Sequence, residues 1–301
     1  MTAECQKTRT LSTNSGINEP TGDVLRERIL GAVSDLPPMP QAAHKAREVM
    51  ANPNSSFKDL AIVFVTDQAI AGRVLKLANS AYYGLSKRVS SIQQASVVLG
   101  YKTLAELVTL AFTSRLMGET LKGYGLNAGD LWKHSLAVAL GARLIATKKN
   151  PALSDDVFAA GLIHDAGKLV LDKYILERRQ AFEGCMANGH QNFLTAEKKI
   201  LGVDHGEIAS EVCQKWNIPE HLAVAIRYHH YPSRSQDNEL AYILHIADII
   251  ALRSELGTGI DASSYDMDDN ALDFVGLEDD LDKIMSQMVA SVEKTVRTLS
   301  A

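Results

Sequence analysis

The chain has 301 residues, 46% of them hydrophobic, enough to pack one large domain or two smaller ones without covalent staples. Its net charge of -5 and pI of about 6.0 argue against the broad basic face with which proteins hold nucleic acid and leave room only for a local basic groove, which nothing in the sequence advertises. Cys5, Cys185 and Cys213 form no C-x-x-C pair, and no long apolar run or signal-peptide core is present, so a reducing, cytoplasmic setting without a membrane span is expected.

Residues 1–21, rich in Thr, Ser, Asn and Gly, predict a flexible lead-in. Folding is expected from Asp23, where Val24, Ile29, Leu30 and Val33 form a short amphipathic helix that ends at Leu36-Pro37-Pro38-Met39-Pro40, because proline cannot continue a helix. Short helices follow over 41–51, stopped by Asn52-Pro53-Asn54, over 57–65, opened by a capping box of Ser56 and Asp59, and over 68–78, capped by Asp67. Asn79-Ser80-Ala81-Tyr82-Tyr83-Gly84 ends the last of these. Ser91 opens a helix over 92–99, Gly100 stops it, and Thr103 opens a long apolar helix through Leu116. No segment alternates with period two, so almost no strand is expected.

A glycine-containing link, 118–129, divides a first helical unit, residues 22–120, from a second, residues 121–253. The second is predicted helical over 130–147, 155–164, 167–175, 177–188, 192–201, 206–216, 220–230 and 238–252. Residues 254–301 comprise an acidic, glycine-interrupted loop and a last helix, 281–299. The apolar stripe of that helix, Leu281, Ile284, Met288, Val292 and Val296, is too short for a coiled coil and is expected to pack on the body. The fold class is all-α, two packed helical units without a fixed-length repeat.

The chemistry concentrates in the second unit. Gly161-Leu162-Ile163-His164-Asp165-Ala166-Gly167-Lys168 delivers an adjacent imidazole and carboxylate to the edge of the core, with Gly167 free to turn the backbone. Neighbouring helical side chains diverge by about 100°, so the pair converges on one object only if that object lies between them, as a metal ion can. Alone, the dipeptide is a weak motif, met as well by a histidine bonded to a carbonyl and an aspartate capping a turn. The other candidates change that balance. His134 lies on an apolar helix with Asp130 one turn earlier on the same face, His205 opens the helix to Trp216, and His229 and His230 close the helix from Glu220. Asp248 stands among Ile246, Ala247, Ile249 and Ile250, where a carboxylate needs a cation. Imidazoles and carboxylates without thiolate suit divalent iron, manganese, zinc or nickel, and an aspartate can bridge two ions. Spacing by itself leaves a structural network as the other reading.

The order His134, His164-Asp165, Asp248 resembles the HD superfamily of metal-dependent phosphohydrolases. His205, His229-His230 and Lys168 resemble the extra set of its HD-GYP branch, in which a glutamate tends to stand where this chain has Asp130. The fuller resemblance, over about Leu30 to Leu252, is to HDOD proteins, the HD-related output domain of bacterial signalling. Leu36 to Pro40, Asp67, Leu75, Asn79 to Gly84, Ile92, Ala95 and Leu99-Gly100 match its N-terminal signature. Gly161 to Lys168, Trp216-Asn217-Ile218-Pro219 and His229-His230 match its second part. After His230 the sequence reads Tyr231-Pro232-Ser233-Arg234, without the Gly-Tyr-Pro motif of the cyclic di-GMP branch.

The resemblance implies a signalling output module with a protein partner, holding one or two divalent ions through Asp130, His134, His164, Asp165, His205, His229 and Asp248. The alternative is a phosphohydrolase acting on a nucleotide or cyclic dinucleotide, in which the metal lowers the pKa of a bound water while Lys168 and His230 neutralise phosphate oxygens. Asn79 to Gly84 reads as a turn with packed tyrosines in preference to a binding loop.

Overall fold

The computed structural model describes residues 22–39, 43–45, 48, 64, 68–80, 83–187, 192–262, 265–277 and 280–300. The lead-in, most of the helices expected over 41–51 and 57–65, the caps Ser56, Asp59 and Asp67, and Tyr82 lie outside the described residues. Among those described, the fold is all-α, and the only β pairing is an isolated bridge between Leu121 and Leu126.

Helix α1 (Asp23–Ala32) buries Leu25 and Ile29, while Val24, which the periodicity turns inward, is 63% exposed. Helix α2 (Gln68–Ala78) buries Ile70, Val74 and Leu77. Asn79 then acts as a clamp, its amide donating to the carbonyls of Leu75 and Val89 and its oxygen accepting from the Val89 N–H, each at 2.8 Å. Its side chain thus replaces backbone pairing in the turn. Helix α3 (Ile92–Leu116) is broken at Gly100, whose φ of 78° and ψ of 165° are non-helical, in agreement with the predicted stop. By length and composition α3 is apolar enough to cross a membrane, yet half of that apolar stretch is buried inside the protein.

Helix α4 (Asp130–Lys149) is buried around most of its circumference, because α5 (Ser154–Ile163), α11 (Glu239–Arg253) and α13 (Leu281–Ser300) all pack on it. Its closest partner is α5: a Cβ on Gly161 would lie 2.6 Å from the Cα of Ala139. The intervening helices are α6 (Lys168–Glu177), α7 (Arg179–Ala187), α8 (Phe193–Leu201), α9 (His205–Lys215) and α10 (Glu220–Arg227).

Trp216-Asn217-Ile218-Pro219 is the corner between α9 and α10. Asn217 takes a left-handed φ of 51°, and the N–H groups of Asn217 and Ile218 donate to the carbonyls of Gln214 and Cys213, the paired bonds of a Schellman stop. The same corner docks the proline-rich stretch near the N-terminus. Lys215 Nζ donates to the carbonyls of Val33, Ser34 and Leu36, and Trp216 Nε1 donates to that of Pro37.

The acidic stretch expected as a loop carries a short helix, α12 (Ala271–Val275), and returns to the body. Ile260 N–H donates to the Tyr124 carbonyl at 2.9 Å, and Asp268 N–H donates to His245 Nε2 at 2.8 Å. Its partners are distant in sequence, so no local pattern announces them. Helix α13 buries Ile284, Met288 and Val292 against α4 and α2, the packing its stripe predicts.

Candidate metal centre

Five separate stretches converge inside the second half of the chain. His134 projects from α4, His164 and Asp165 from the turn after α5, His205 from the first residue of α9, and Asp248 from α11. His229 and His230, which the periodicity places on a helix, instead follow the end of α10 at Arg227. Three overlapping groups each bring their donor atoms within 4.8 Å of one another: His134, His164 and Asp165; His164, His229 and Asp248; His205, His229 and His230.

Asp165 stands between these groups. Its Oδ2 lies 3.5 Å from His164 Nε2 and 3.6 Å from His134 Nε2, and its Oδ1 lies 3.4 Å from His205 Nε2. Asp248 Oδ1 accepts from His134 Nε2 at 3.0 Å, while its Oδ2 is buried without a hydrogen-bond partner in the protein. The Nε2 atoms of His164 and His229 are buried and unpartnered in the same way. Each such group costs roughly 1–3 kcal/mol if nothing answers it, and these lie side by side.

The far ring nitrogens of His164, His229 and His205 are engaged, whereas His134 Nδ1 is buried without a hydrogen-bond partner in the protein. His164 Nδ1 donates to the Gly161 carbonyl at 2.8 Å, and His229 Nδ1 to that of Ile226 at 2.6 Å. His205 Nδ1 donates to Glu197 Oε2 at 2.8 Å. These bonds fix the Nδ1–H tautomer in the neutral rings and leave the Nε2 lone pairs aimed at one another, as metal-binding imidazoles require. His245 supports the frame, its Nδ1–H donating to the His229 carbonyl and its Nε2 accepting from Asp268.

Protonation follows from these neighbours. Burial, reinforced by the adjacent imidazoles, holds His164 below the usual histidine range and His229 down to about 3, and pushes His230 well below its ordinary value. Burial also opposes charge on His134 and His205, but Asp248 overcomes it at the first and Glu197 with Asp165 at the second, raising His205 to about 9. Against the same burial, Lys168 and the imidazoles hold Asp165 well below the carboxylate range, and His134 with its neighbours holds Asp248 at about 2. The centre therefore combines ionised carboxylates with neutral imidazoles at His164, His229 and His230 and a protonated one at His205.

Lys168 is buried between Asp165 Oδ2 at 2.9 Å and Asp261 Oδ2 at 2.7 Å, so two carboxylates already answer its charge. His230 Nε2 lies 2.8 Å from His205 Nε2, with the ring of Tyr265 stacked on it at 4.2 Å. Asp130 stays outside the cluster: its carboxylate accepts from the backbone and side-chain nitrogens of Asn127, capping the turn before α4. Helical spacing places Asp130 on the face of His134, but the cap competes for the same carboxylate.

Sequence reasoning missed Glu197, Tyr124, Asp261 and Tyr265. Glu197 is fully buried on α8, accepting from the backbone and ring of His205 and, at 2.6 Å, from the Tyr124 hydroxyl. One signal was available, since Leu194 and Leu201 place it on the apolar face of its helix. Asp261 and Tyr265 sit in the acidic stretch, whose composition reads as solvated.

Gly167 has an ordinary helical φ of -61°, so it does not turn the chain as expected. Its role is steric: a Cβ there would lie 2.0 Å from the His205 carbonyl oxygen, so only glycine lets α9 deliver His205. Gly167→Ala is expected to destabilise the protein by about 1–3 kcal/mol or more, read as a lower denaturant midpoint. An unchanged midpoint would show that α9 can retreat without cost.

The HDOD domain model matches residues 36–232. A protein of Treponema pallidum (strain Nichols) without an assigned function is 26% identical over 209 residues; the match takes 68% of this chain, which spans only 40% of that relative. Among solved structures, a Shewanella amazonensis SB2B protein provisionally named a phosphohydrolase aligns with a TM-score of 0.70 at 24% identity, over 90% of this chain and 97% of its own. An HDOD domain protein of unknown function from Geobacter sulfurreducens aligns with a TM-score of 0.69 at 22% identity, over 92% and 93%. At these identities the structures establish the shared fold alone. The matched span runs from the docked proline stretch, through the break at Gly100 and the His164-Asp165 turn, to the residues just past His230, and on that match the chain belongs to the HDOD family.

Proposed function

We propose that the chain is a cytoplasmic signalling output module whose helices are organised around a divalent-metal centre and which acts through a protein partner. The observation that carries this reading is the convergence of buried, unpartnered His164 Nε2, His229 Nε2 and Asp248 Oδ2 with their tautomers set from behind. His134, His164, Asp165 and Asp248 would hold one ion, and His205, His229 and His230 a second. The two oxygens of Asp165 face different imidazoles, which suits a carboxylate shared between ions. A bound divalent ion would supply Lewis acidity and an acidified water.

A module is favoured over a hydrolase because the groups that would meet a phosphate are engaged. Lys168 is held between two carboxylates and His230 lies beneath Tyr265. Protein purified without added metal is expected to carry iron, manganese, zinc or nickel by elemental analysis, and His164→Ala is expected to lose it. Metal-free wild-type protein would sink the reading. Metal-dependent turnover of nucleotides or cyclic dinucleotides, abolished in Asp165→Ala, would restore the hydrolase.

Proton release gives an independent check. With a pKa of about 9, His205 carries a proton at neutral pH and must lose it from Nε2 to take an ion. Affinity for the second ion should therefore climb as pH rises toward 9 and level off above it, with roughly one proton released from His205 as that ion binds near neutrality. Calorimetry in buffers of different ionisation enthalpy measures that number; no release would remove His205 from the donor set.

A further inference from the structure

A cleft of about 1040 Å³ opens between α2, the loop before α3 and the C-terminal helix α13. Four cations line it: Lys76 from α2, Arg88 from the loop, and Lys294 and Arg297 from α13. No carboxylate lines it among the described residues, although the chain as a whole carries a net charge of -5. Helix dipoles favour cations in last turns and so account for Lys76 and Arg297 one at a time. They do not account for Arg88, which belongs to no helix, or for the meeting of all four at one opening.

The floor is different in character. Leu75, Leu85 and Val89 give the cleft an apolar surface beneath its charged rim. Gly72, in the middle of α2, also faces it, and a Cβ there would meet nothing within 4 Å. Packing does not explain that glycine, and an exposed glycine weakens a helix relative to alanine. A bare stretch of backbone in a cleft is what the close approach of a ligand requires.

We infer that this cleft binds a nucleotide, its phosphates among Lys76, Arg88, Lys294 and Arg297 and its base on the apolar floor. Guanidinium groups suit phosphate oxygens, which they can bond in pairs. Arg297 also pairs with Glu293 at 3.1 Å, but both side chains are largely exposed, and such a surface pair exchanges readily for a phosphate. Because α13 packs on both α2 and α4, a ligand held between α2 and α13 would be coupled to the helix that carries His134. The site shares no residue with the metal centre and stands or falls separately from it.

The test is calorimetric titration of the full chain with ATP, GTP and inorganic tripolyphosphate in buffer without divalent metal. Saturable one-to-one binding of ATP or GTP, tighter than that of tripolyphosphate, is expected, and the double variant Arg88→Gln/Arg297→Gln should weaken it at least about tenfold. Arg179→Gln, which removes an equally exposed cation from α7, should leave it unchanged. Gly72→Ala should raise the unfolding midpoint yet weaken binding, a combination that a purely structural role would not give. No binding of either nucleotide, undiminished affinity in the double variant, or preference for a single-stranded RNA oligomer over both nucleotides would overturn the assignment.

Discussion

Asp165→Ala is expected to leave the purified protein without metal and, measured on metal-stripped samples, to lower its stability by roughly 3–5 kcal/mol. Asp165 is 1% exposed and meets His134, His164, His205 and Lys168, so it serves as the shared counter-charge of the centre. Its removal leaves Lys168 buried with Asp261 alone. His164→Ala separates the two effects: it deletes a donor but keeps both carboxylates on Lys168, so the metal should go at a smaller cost in stability. Elemental analysis paired with guanidinium unfolding reads both quantities. An Asp165→Ala protein with full metal content and an unchanged midpoint would contradict the assignment.

The second large effect is expected at a residue that touches no proposed ion. Glu197→Ala removes the acceptor for the His205 N–H, the His205 Nδ1–H and the Tyr124 hydroxyl, all buried. Each abandoned donor costs about 1–3 kcal/mol, with less than additive effect because they share one partner. Loss of the group that orients a metal-binding imidazole typically weakens metal affinity about 10–100-fold. Glu197→Gln should fall between alanine and wild type, since it keeps an acceptor oxygen but no charge. It should also lower the His205 pKa from about 9, because Glu197 is the largest influence raising it, and so reduce proton release on metal binding. Equal metal affinity in all three proteins would show that Glu197 only fills space.

The value of Glu197 shows where sequence reading stops. His164 and Asp165 are adjacent, sit after an apolar run and are followed by Gly167, so they can be found from one stretch of chain. Glu197 has only its place on the apolar face of α8 to mark it, and Asp261 lies in an acidic stretch that reads as solvated. Both become important through contacts across the fold, Glu197 with Tyr124 and Asp261 with Lys168, over separations of 73 and 93 residues. Asp130 shows the converse. Its spacing from His134 suits a shared face, but Asn127 claims its carboxylate.

Local chemistry determined the helical class, the break at Gly100, the stop at Trp216-Asn217 and which histidines and aspartates are candidate donors, because caps, glycine conformations and apolar periodicity act within a few residues of chain. It could not determine which donors converge, which carboxylate each cation would choose, or that the acidic stretch would return over the centre. Those outcomes depend on helices packed closely enough that a single Cβ at Gly161 or Gly167 would collide with the neighbouring backbone. Side-chain distances of a few ångströms are set by that packing, and a linear sequence contains no distance between residues far apart along it.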